Sequence, residues 1–150
     1  MAELILLLAL MAVIFYYARK ENKRKEYDHW VNSCRSYLVR VAHSFRRDCQ
    51  EAADKAFAQY SSIMQHNRYP HADMRYMRYS FLEPYRKSLD ALKEDYLKNV
   101  NARLKAEMPH CIFTSIPIFL LAEYNILITD IYNTFYDFEW RMREQIMDKE

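Results

Sequence analysis

The sequence feature that most constrains the fold is an uncharged apolar run at the start of the chain. From Leu4 to Tyr17 the sequence reads LILLLALMAVIFYY, fourteen residues without a charged or strongly polar side chain. As a helix this run rises about 21 Å, which is short of a hydrocarbon core of about 30 Å. The basic residues that follow it are Arg19, Lys20, Lys23, Arg24 and Lys25.

The flanks of this run favour a retained membrane anchor over a cleaved signal peptide, because no basic region precedes it and no small-x-small cleavage site follows. Tyr16 and Tyr17 stand where interfacial aromatic residues belong, and the positive-inside rule places the rest of the chain in the cytoplasm. We therefore predict a transmembrane anchor over residues 1–18 of a single-pass protein, with its N-terminus outside and the bulk of the chain in the cytoplasm. The alternative is a helix buried in a core. The candidate residues for contact with lipid or a pore are Leu4, Leu7, Leu8, Met11, Phe15 and Tyr16.

The remaining residues, 19–150, suffice for one compact domain. The chain has no glycine and four prolines, so long segments lack any helix breaker and tight hairpins are disfavoured. Its three cysteines, Cys34, Cys49 and Cys111, suit reduced, packed thiols in the cytoplasm better than a disulfide framework. We predict an all-α protein in which the anchor continues into an antiparallel helical bundle.

Apolar side chains that recur every three or four residues mark three helices of this body. The first helix is predicted to end near 66–70, the second to run from Pro84 to Pro109, and the third to run from a cap at Thr114 or Ser115 to about Asp148. The predicted apolar stripes are Trp30, Cys34, Tyr37, Val41, Phe45, Cys49, Ala52, Ala56, Tyr60 and Ile63; then Tyr85, Leu89, Leu92, Tyr96, Val100, Leu104 and Met108; then Leu121, Asn125, Ile128, Tyr132, Phe135, Phe138 or Glu139, Met142 and Ile146.

Arginine and tyrosine interleave between the first two of these helices. Such a segment can stack bases and hold phosphates, contact lipid headgroups, or form a subunit interface. It also fits the half-exposed ends of amphipathic helices. The candidate residues for RNA or interface contact are Arg68, Tyr69, Arg75, Tyr76, Arg78 and Tyr79.

The sequence offers little catalytic machinery, and we predict no metal site and no cofactor. The histidines lack the spacing of a structural zinc site, and a chain without glycine cannot build a glycine-rich phosphate loop. One pair stands out, because Arg103 lies on the edge of a buried stripe and His110 follows seven residues later. An arginine beside a histidine at a helix end can hold a phosphate and move a proton. Arg103 and His110 are therefore the candidate catalytic residues.

Six residues separate Arg103 from His110, and this R-x(4–6)-H pattern in an all-helical body resembles HEPN domains, many of which cut RNA. The resemblance implies that Arg103 contacts the scissile phosphate and that His110 serves acid–base catalysis. With the N-terminal anchor and the basic neck added, the arrangement is similar to the small membrane accessory proteins of type VI-B CRISPR–Cas systems. That resemblance implies a protein of the bacterial inner membrane that assists an RNA-guided RNA nuclease in antiviral defence by assembling as a membrane pore.

Three functions follow from these patterns. The first is a membrane-anchored homo-oligomer that forms a pore in support of RNA-targeting CRISPR defence, since a short span is relieved by assembly with copies of itself. Its partners would be itself, the bilayer, and an RNA nuclease effector or RNA. The second is a membrane-tethered, metal-independent HEPN ribonuclease. The third is a non-catalytic coiled-coil scaffold or a subunit of a membrane complex.

Overall fold

The computed structural model describes residues 2–66, 71–107 and 118–147, with side chains described over 6–66, 75–107 and 118–147. These residues form three α-helices: α1 (Ala2–His66), α2 (His71–Glu107) and α3 (Ile118–Met147). No strand occurs within the described ranges, and the all-α prediction is confirmed. The predicted end of the first helix near residue 66 is also confirmed. The proposed caps Thr114 and Ser115 lie outside the described residues.

The chain divides into two compact units, Met1–Tyr37 and Leu38–Glu150, and the division falls inside α1. The first unit is the beginning of α1. Its described side chains are exposed from residue 6 through residue 26, and the rings of Tyr27 and Trp30 lie 5.8 Å apart. The predicted boundary at residue 18, between anchor and body, concerns the membrane and stays a prediction.

The second unit is an antiparallel three-helix bundle, as the contacts between its helices establish. Phe45 of α1 stacks on Tyr96 of α2 at 5.1 Å, whereas Tyr60, further along α1, meets Phe81 at 5.3 Å near the start of α2. The two helices therefore run in opposite directions. The Cα atoms of α2 and α3 approach within 8 Å, and the Tyr85 hydroxyl donates to the Phe138 carbonyl oxygen at 3.4 Å.

Side chains from all three helices form the core of this unit. The predicted stripes are correct at the centres of α1 and α2, where Phe45, Cys49, Leu89 and Val100 are at most 1% exposed. Met108, predicted as the last core residue of the second helix, lies outside the described residues. Burial on this scale stabilises by about 1.5–3 kcal/mol for each large apolar side chain. The buried residues of α3 are Leu120, Tyr124, Leu127, Ile131, Phe135, Phe138, Met142 and Ile146.

The first half of the predicted α3 stripe is wrong by one position. The helix buries Leu120, Tyr124, Leu127 and Ile131, whereas the predicted Leu121, Asn125 and Tyr132 are exposed and Ile128 is half-buried. The run 116–122 is apolar at nearly every position, so its pattern does not fix which side faces the core. The second half is correct, and of the two alternatives offered there the core takes Phe138 rather than Glu139.

Pro84 does not begin a helix, which corrects the second boundary. It lies inside α2, which starts at His71, so the arginine–tyrosine segment is largely the first part of that helix. A proline inside a helix cannot donate to the carbonyl one turn earlier and crowds it. Here both Pro84 and Ser80, whose carbonyl loses its donor, are exposed, so water can reach that oxygen.

Several ion pairs of the described chain join residues one helical turn apart on exposed faces. Examples are Lys87 with Glu83 at 3.0 Å and Arg141 with Asp137 at 2.8 Å. Pairs of this kind contribute only a few tenths of a kcal/mol each. Lys93 of α2 is different, since its side chain is only 11% exposed and its ammonium lies 4.5 Å from the centre of the Phe135 ring on α3. This cation–π contact links the two helices.

Candidate functional site

The beginning of α1 is the most unusual surface of the described chain. Large apolar side chains are exposed on every side of the helix from Leu6 to Tyr17, with Leu6 at 75% and Phe15 at 70%. Soluble proteins rarely expose contiguous apolar patches above a few hundred Å² unless these contact a partner or a membrane. Among the predicted membrane- or pore-facing residues, Leu7, Leu8, Met11, Phe15 and Tyr16 all belong to this surface. Leu4, the remaining one, has a side chain outside the described set.

A search of the described residues for a membrane span gives a negative result. No helix there is both long enough and apolar enough to cross a membrane. The side chains of residues 1–5, with which the predicted anchor begins, are not among those described. The transmembrane assignment of residues 1–18 is therefore unsupported by the described helices and stays a prediction.

Of the candidate catalytic pair, only Arg103 lies among the described residues. Arg103 lies near the end of α2, where its guanidinium Nη2 meets the Glu107 carboxylate one turn later at 2.7 Å. The Glu107 side chain is only 10% exposed, whereas that of Arg103 is 41% exposed. A carboxylate so buried needs a cationic partner, because an uncompensated buried charge costs several kcal/mol. His110 lies outside the described residues, so its position relative to Arg103 stays a prediction.

This pairing gives Arg103 a structural role that the sequence pattern concealed. A phosphate bound at Arg103 would compete with Glu107 for the guanidinium and would draw that cation away from a buried anion. The signal that would have found the pair is the i, i+4 spacing of Arg103 and Glu107, which places both side chains on one face of a helix. The contact therefore favours a structural reading of this arginine over phosphate binding.

The arginine–tyrosine segment is divided between surface and packing. Tyr76 is 76% exposed, Tyr79 is half exposed, and Arg75 is exposed. Arg78 instead reaches α3, where its Nη1 donates to the Met147 carbonyl oxygen at 3.4 Å. Arg68 and Tyr69, the other two candidates, lie outside the described residues. The described part is thus a mixed surface in which one arginine holds two helices together.

Tyr76 and Tyr79 line a groove of about 690 Å³ between α2 and α3. The sequence did not reveal this groove, because its far wall comes from α3, which is distant in the chain. Cations and anions alternate along it, and Arg86 of α2 meets Glu139 of α3 at 3.1 Å. The charged residues of its lining are Glu83, Arg86, Lys87, Asp90, Lys93, Glu139 and Arg143. Four of these side chains are cationic and three are anionic, so the groove lacks the strong positive charge that binds a nucleic-acid backbone.

A polar contact inside the bundle joins two titratable groups whose pKa values are perturbed. The Tyr96 hydroxyl donates to the Asp48 carboxylate at 2.6 Å, and this bond lowers the pKa of Asp48. Burial, followed by the same bond to Asp48, raises the pKa of Tyr96 to about 12. Burial also raises the pKa of the neighbouring Cys49 thiol to about 11. A thiol held in its protonated form is a poor nucleophile, so Cys49 serves packing rather than catalysis.

These shifts predict that the bundle loses stability in alkali. A group whose pKa is raised in the folded state stabilises the folded state fully at pH values below its unfolded pKa, which is near 9.0 for Cys49 and 10.0 for Tyr96. This contribution disappears as the pH rises through the folded pKa values of about 11–12. Helix content followed by circular dichroism at graded denaturant should show the unfolding midpoint falling across this range.

Tyr96→Phe tests the assignment, with Tyr76→Phe as the matched exposed control. We expect Tyr96→Phe to lower stability at neutral pH by about 1–3 kcal/mol, since Asp48 loses a hydrogen bond to a charged acceptor. It should also make the decline between pH 10 and 12 less steep, leaving the parts due to Cys49 and to Tyr85, whose pKa is also raised by burial. An unchanged alkaline profile in Tyr96→Phe would contradict the assignment.

The described residues offer few other candidates for a metal-binding or catalytic site. No group of three or more histidine, cysteine, aspartate or glutamate side chains within the described ranges is arranged to hold a metal ion. A second groove, of about 430 Å³, lies between α1 and α3, where His43 and Arg46 face Asp130 and Asp137.

Comparison of the chain with protein-family models, with curated proteins and with solved structures found no match. The function must therefore be argued from the residues and their arrangement.

Proposed function

We propose that this chain is a single-pass membrane protein that acts by assembling copies of itself in the bilayer and permeabilising it, with its helical body in the cytoplasm. The observation that carries the proposal is the apolar surface around α1 from Leu6 to Tyr17. Nothing in the described chain covers that surface, so water or another molecule must. Insertion into lipid removes it from water without requiring a second protein.

Transfer energies are consistent with insertion. Nine leucine, isoleucine, valine and phenylalanine residues lie between Leu4 and Tyr17. At about −0.3 to −0.6 kcal/mol each near the centre of a span, they favour insertion by about 3–5 kcal/mol in total. The exposed cations of the neck, such as Arg19 and Lys20, then remain at the cytoplasmic surface.

Assembly follows from the shortness of the apolar run. A span shorter than the hydrocarbon core must thin the bilayer around it, and a ring of copies reduces the boundary at which each copy does so. Two features of the body argue against a catalytic role for the groups concerned, because Arg103 is engaged by Glu107 and the buried Cys49 thiol is protonated. The HEPN-like character of the body, and an accessory role in RNA-targeting CRISPR defence, belong to this proposal through the resemblance alone.

A leakage assay tests the proposed function. The full chain would be reconstituted into liposomes that contain a self-quenching dye, with detergent-treated empty liposomes as control. We expect leakage that rises more steeply than linearly with protein concentration, because several copies form each pore, and a particle larger than one copy in detergent. Intact liposomes together with a monomer in detergent would refute the proposal. In cells that carry an RNA-guided RNA nuclease, co-expression should increase resistance to phage.

A further inference from the structure

α3 carries a second row of evenly spaced side chains on the side away from the core. Its members recur every three or four residues, as the buried row of the same helix does, and all of them are exposed. Ile118 is 87% exposed and Trp140 is 61% exposed. We call this row the outer seam; it consists of Ile118, Ala122, Asn125, Thr129, Tyr132, Tyr136 and Trp140.

The outer seam is uncharged along its whole length, unlike the exposed faces of the other helices. On α1 between Arg46 and Lys55, and on α2 between Glu83 and Glu94, the exposed positions are mainly charged. The seam has no charged member over twenty-three residues, which is about 33 Å of helix. Apolar or neutral side chains at this spacing are typical of a helix that packs against another helix.

The chemistry of the seam argues against nucleic acid and against a lipid surface. The seam itself has no cation to hold phosphate, and Lys93 of α2, whose ammonium lies 5.5 Å from the centre of the Tyr132 ring, is paired with Asp90 and Glu94. Acidic residues follow one of its edges at intervals of seven, namely Asp130, Asp137 and Glu144, and all three are exposed. Helices that lie on anionic membranes carry lysine and arginine at such positions instead. A second protein helix with a neutral face fits these properties.

We infer that the outer seam pairs with the same seam of a second copy, with the two α3 helices parallel. A neutral seam presents no like charges to its own copy, so it is self-complementary. In a parallel pair Asn125 lies opposite Asn125, and two amides can donate and accept reciprocally. A single asparagine in an otherwise apolar seam is the residue that fixes register in paired helices. The parallel direction rests on this contact between the two Asn125 amides, and the pairing itself rests on the proposed function, which places both copies in one bilayer.

The size of the seam determines when the pair forms. A helix face about 33 Å long and about 10 Å wide gives roughly 330 Å² for each copy, below the roughly 800 Å² per partner of a stable complex. The pair therefore needs the high local concentration that two anchors in one bilayer provide. Since an isologous contact closes after two copies, larger assemblies need a further contact and contain even numbers of chains.

Cysteine crosslinking of the full chain in native membranes tests this inference. Asn125→Cys and Thr129→Cys are the reporters, and Asn101→Cys, at an exposed position of α2, is the matched control. All carry Cys111→Ser, while Cys34 and Cys49 are fully buried. With a mild oxidant we expect most of each reporter to form a disulfide-linked dimer, whereas the control stays at background. Thr129→Cys retains Asn125 and so reports on the pair with its amide contact intact.

Ala122→Glu, set against Ala102→Glu on α2, separates pairing from folding. Both alanines are exposed, so neither change should unfold the bundle. Two glutamates opposed across the seam should reduce crosslinking of Thr129→Cys by on the order of tenfold. Ala102→Glu should leave it unchanged.

Fractionation of the same cells distinguishes this inference from the proposed function. If the chain is in the membrane and the reporters do not crosslink above Asn101→Cys, the pairing is refuted and the anchor stands. If the chain is soluble, the proposed function is refuted, and the pairing, which needs both copies in one bilayer, is refuted with it.

Discussion

Leu8→Asp combined with Met11→Asp is expected to release the chain from the membrane into the soluble fraction. Each aspartate near the centre of a span costs about 2.5–3.5 kcal/mol, so the pair costs about 5–7 kcal/mol. That exceeds the roughly 3–5 kcal/mol by which the apolar residues of the run favour insertion. The balance therefore changes sign, and the partition shifts by a factor on the order of 10⁴ to 10⁵ at about 1.36 kcal/mol per tenfold.

Sodium carbonate extraction of membranes followed by immunoblotting measures this partition. Leu8→Val with Met11→Leu is the matched control, because it changes the same two positions and keeps both apolar; it should stay in the membrane pellet. Both sites are 61% exposed, so the aspartates do not disturb the packing of the chain. If the aspartate variant still resists extraction while the bundle remains folded, then residues 1–18 do not span the bilayer.

Leu120→Ala is expected to destabilise the bundle by about 2–5 kcal/mol, whereas Leu121→Ala should cost less than about 1 kcal/mol. Leu120 is 1% exposed, so its truncation leaves a cavity in addition to losing the transfer free energy of the removed atoms. Leu121 is 39% exposed and its methyl groups are already partly hydrated. The two changes are chemically identical and adjacent in sequence, so their difference reports only which side of α3 faces the core.

Thermal and chemical unfolding followed by helix signal compares the two variants with the parent chain under the same detergent conditions. Leu120→Ala should be less stable than Leu121→Ala in both experiments. Equal losses of stability would contradict the orientation of α3, and a larger loss for Leu121→Ala would reverse it. Such a reversal would also remove the outer seam, because the row that contains Asn125 and Tyr136 would then face inward.

The ambiguity at Leu120 and Leu121 shows where sequence reasoning reaches its limit. In α1 and α2, polar residues separate the apolar ones, so periodicity identifies the buried positions Phe45, Cys49 and Leu89. At the start of α3 apolar residues surround the helix, and only contacts with other helices select the inner side. Pro84 was misassigned for a related reason, since a proline at a first turn and one in an exposed interior leave the same mark in a sequence.

The candidate site was predictable only in part. The apolar surface at the beginning of α1 could be read directly, because it is contiguous in sequence. The Arg103–Glu107 contact was available from its spacing, but the burial of Glu107 was not, since burial depends on neighbouring helices. The groove with Arg86 and Glu139, and the contact of Asp48 with Tyr96, join residues about fifty positions apart. No local pattern identifies such partners.

The placement of ion pairs has a consequence for the conditions under which the bundle holds together. Pairs such as Lys87–Glu83 and Arg141–Asp137 lie on exposed faces within single helices, where dissolved ions at physiological strength screen them. The helices are held to one another mainly by apolar contacts and by the cation–π contact of Lys93 with Phe135, in which the lysine side chain is shielded from solvent. The one ion pair between α2 and α3 described above, Arg86 with Glu139, has an arginine side chain that is 64% exposed, so salt screens it as well. The packing of the three helices therefore depends only weakly on ionic strength.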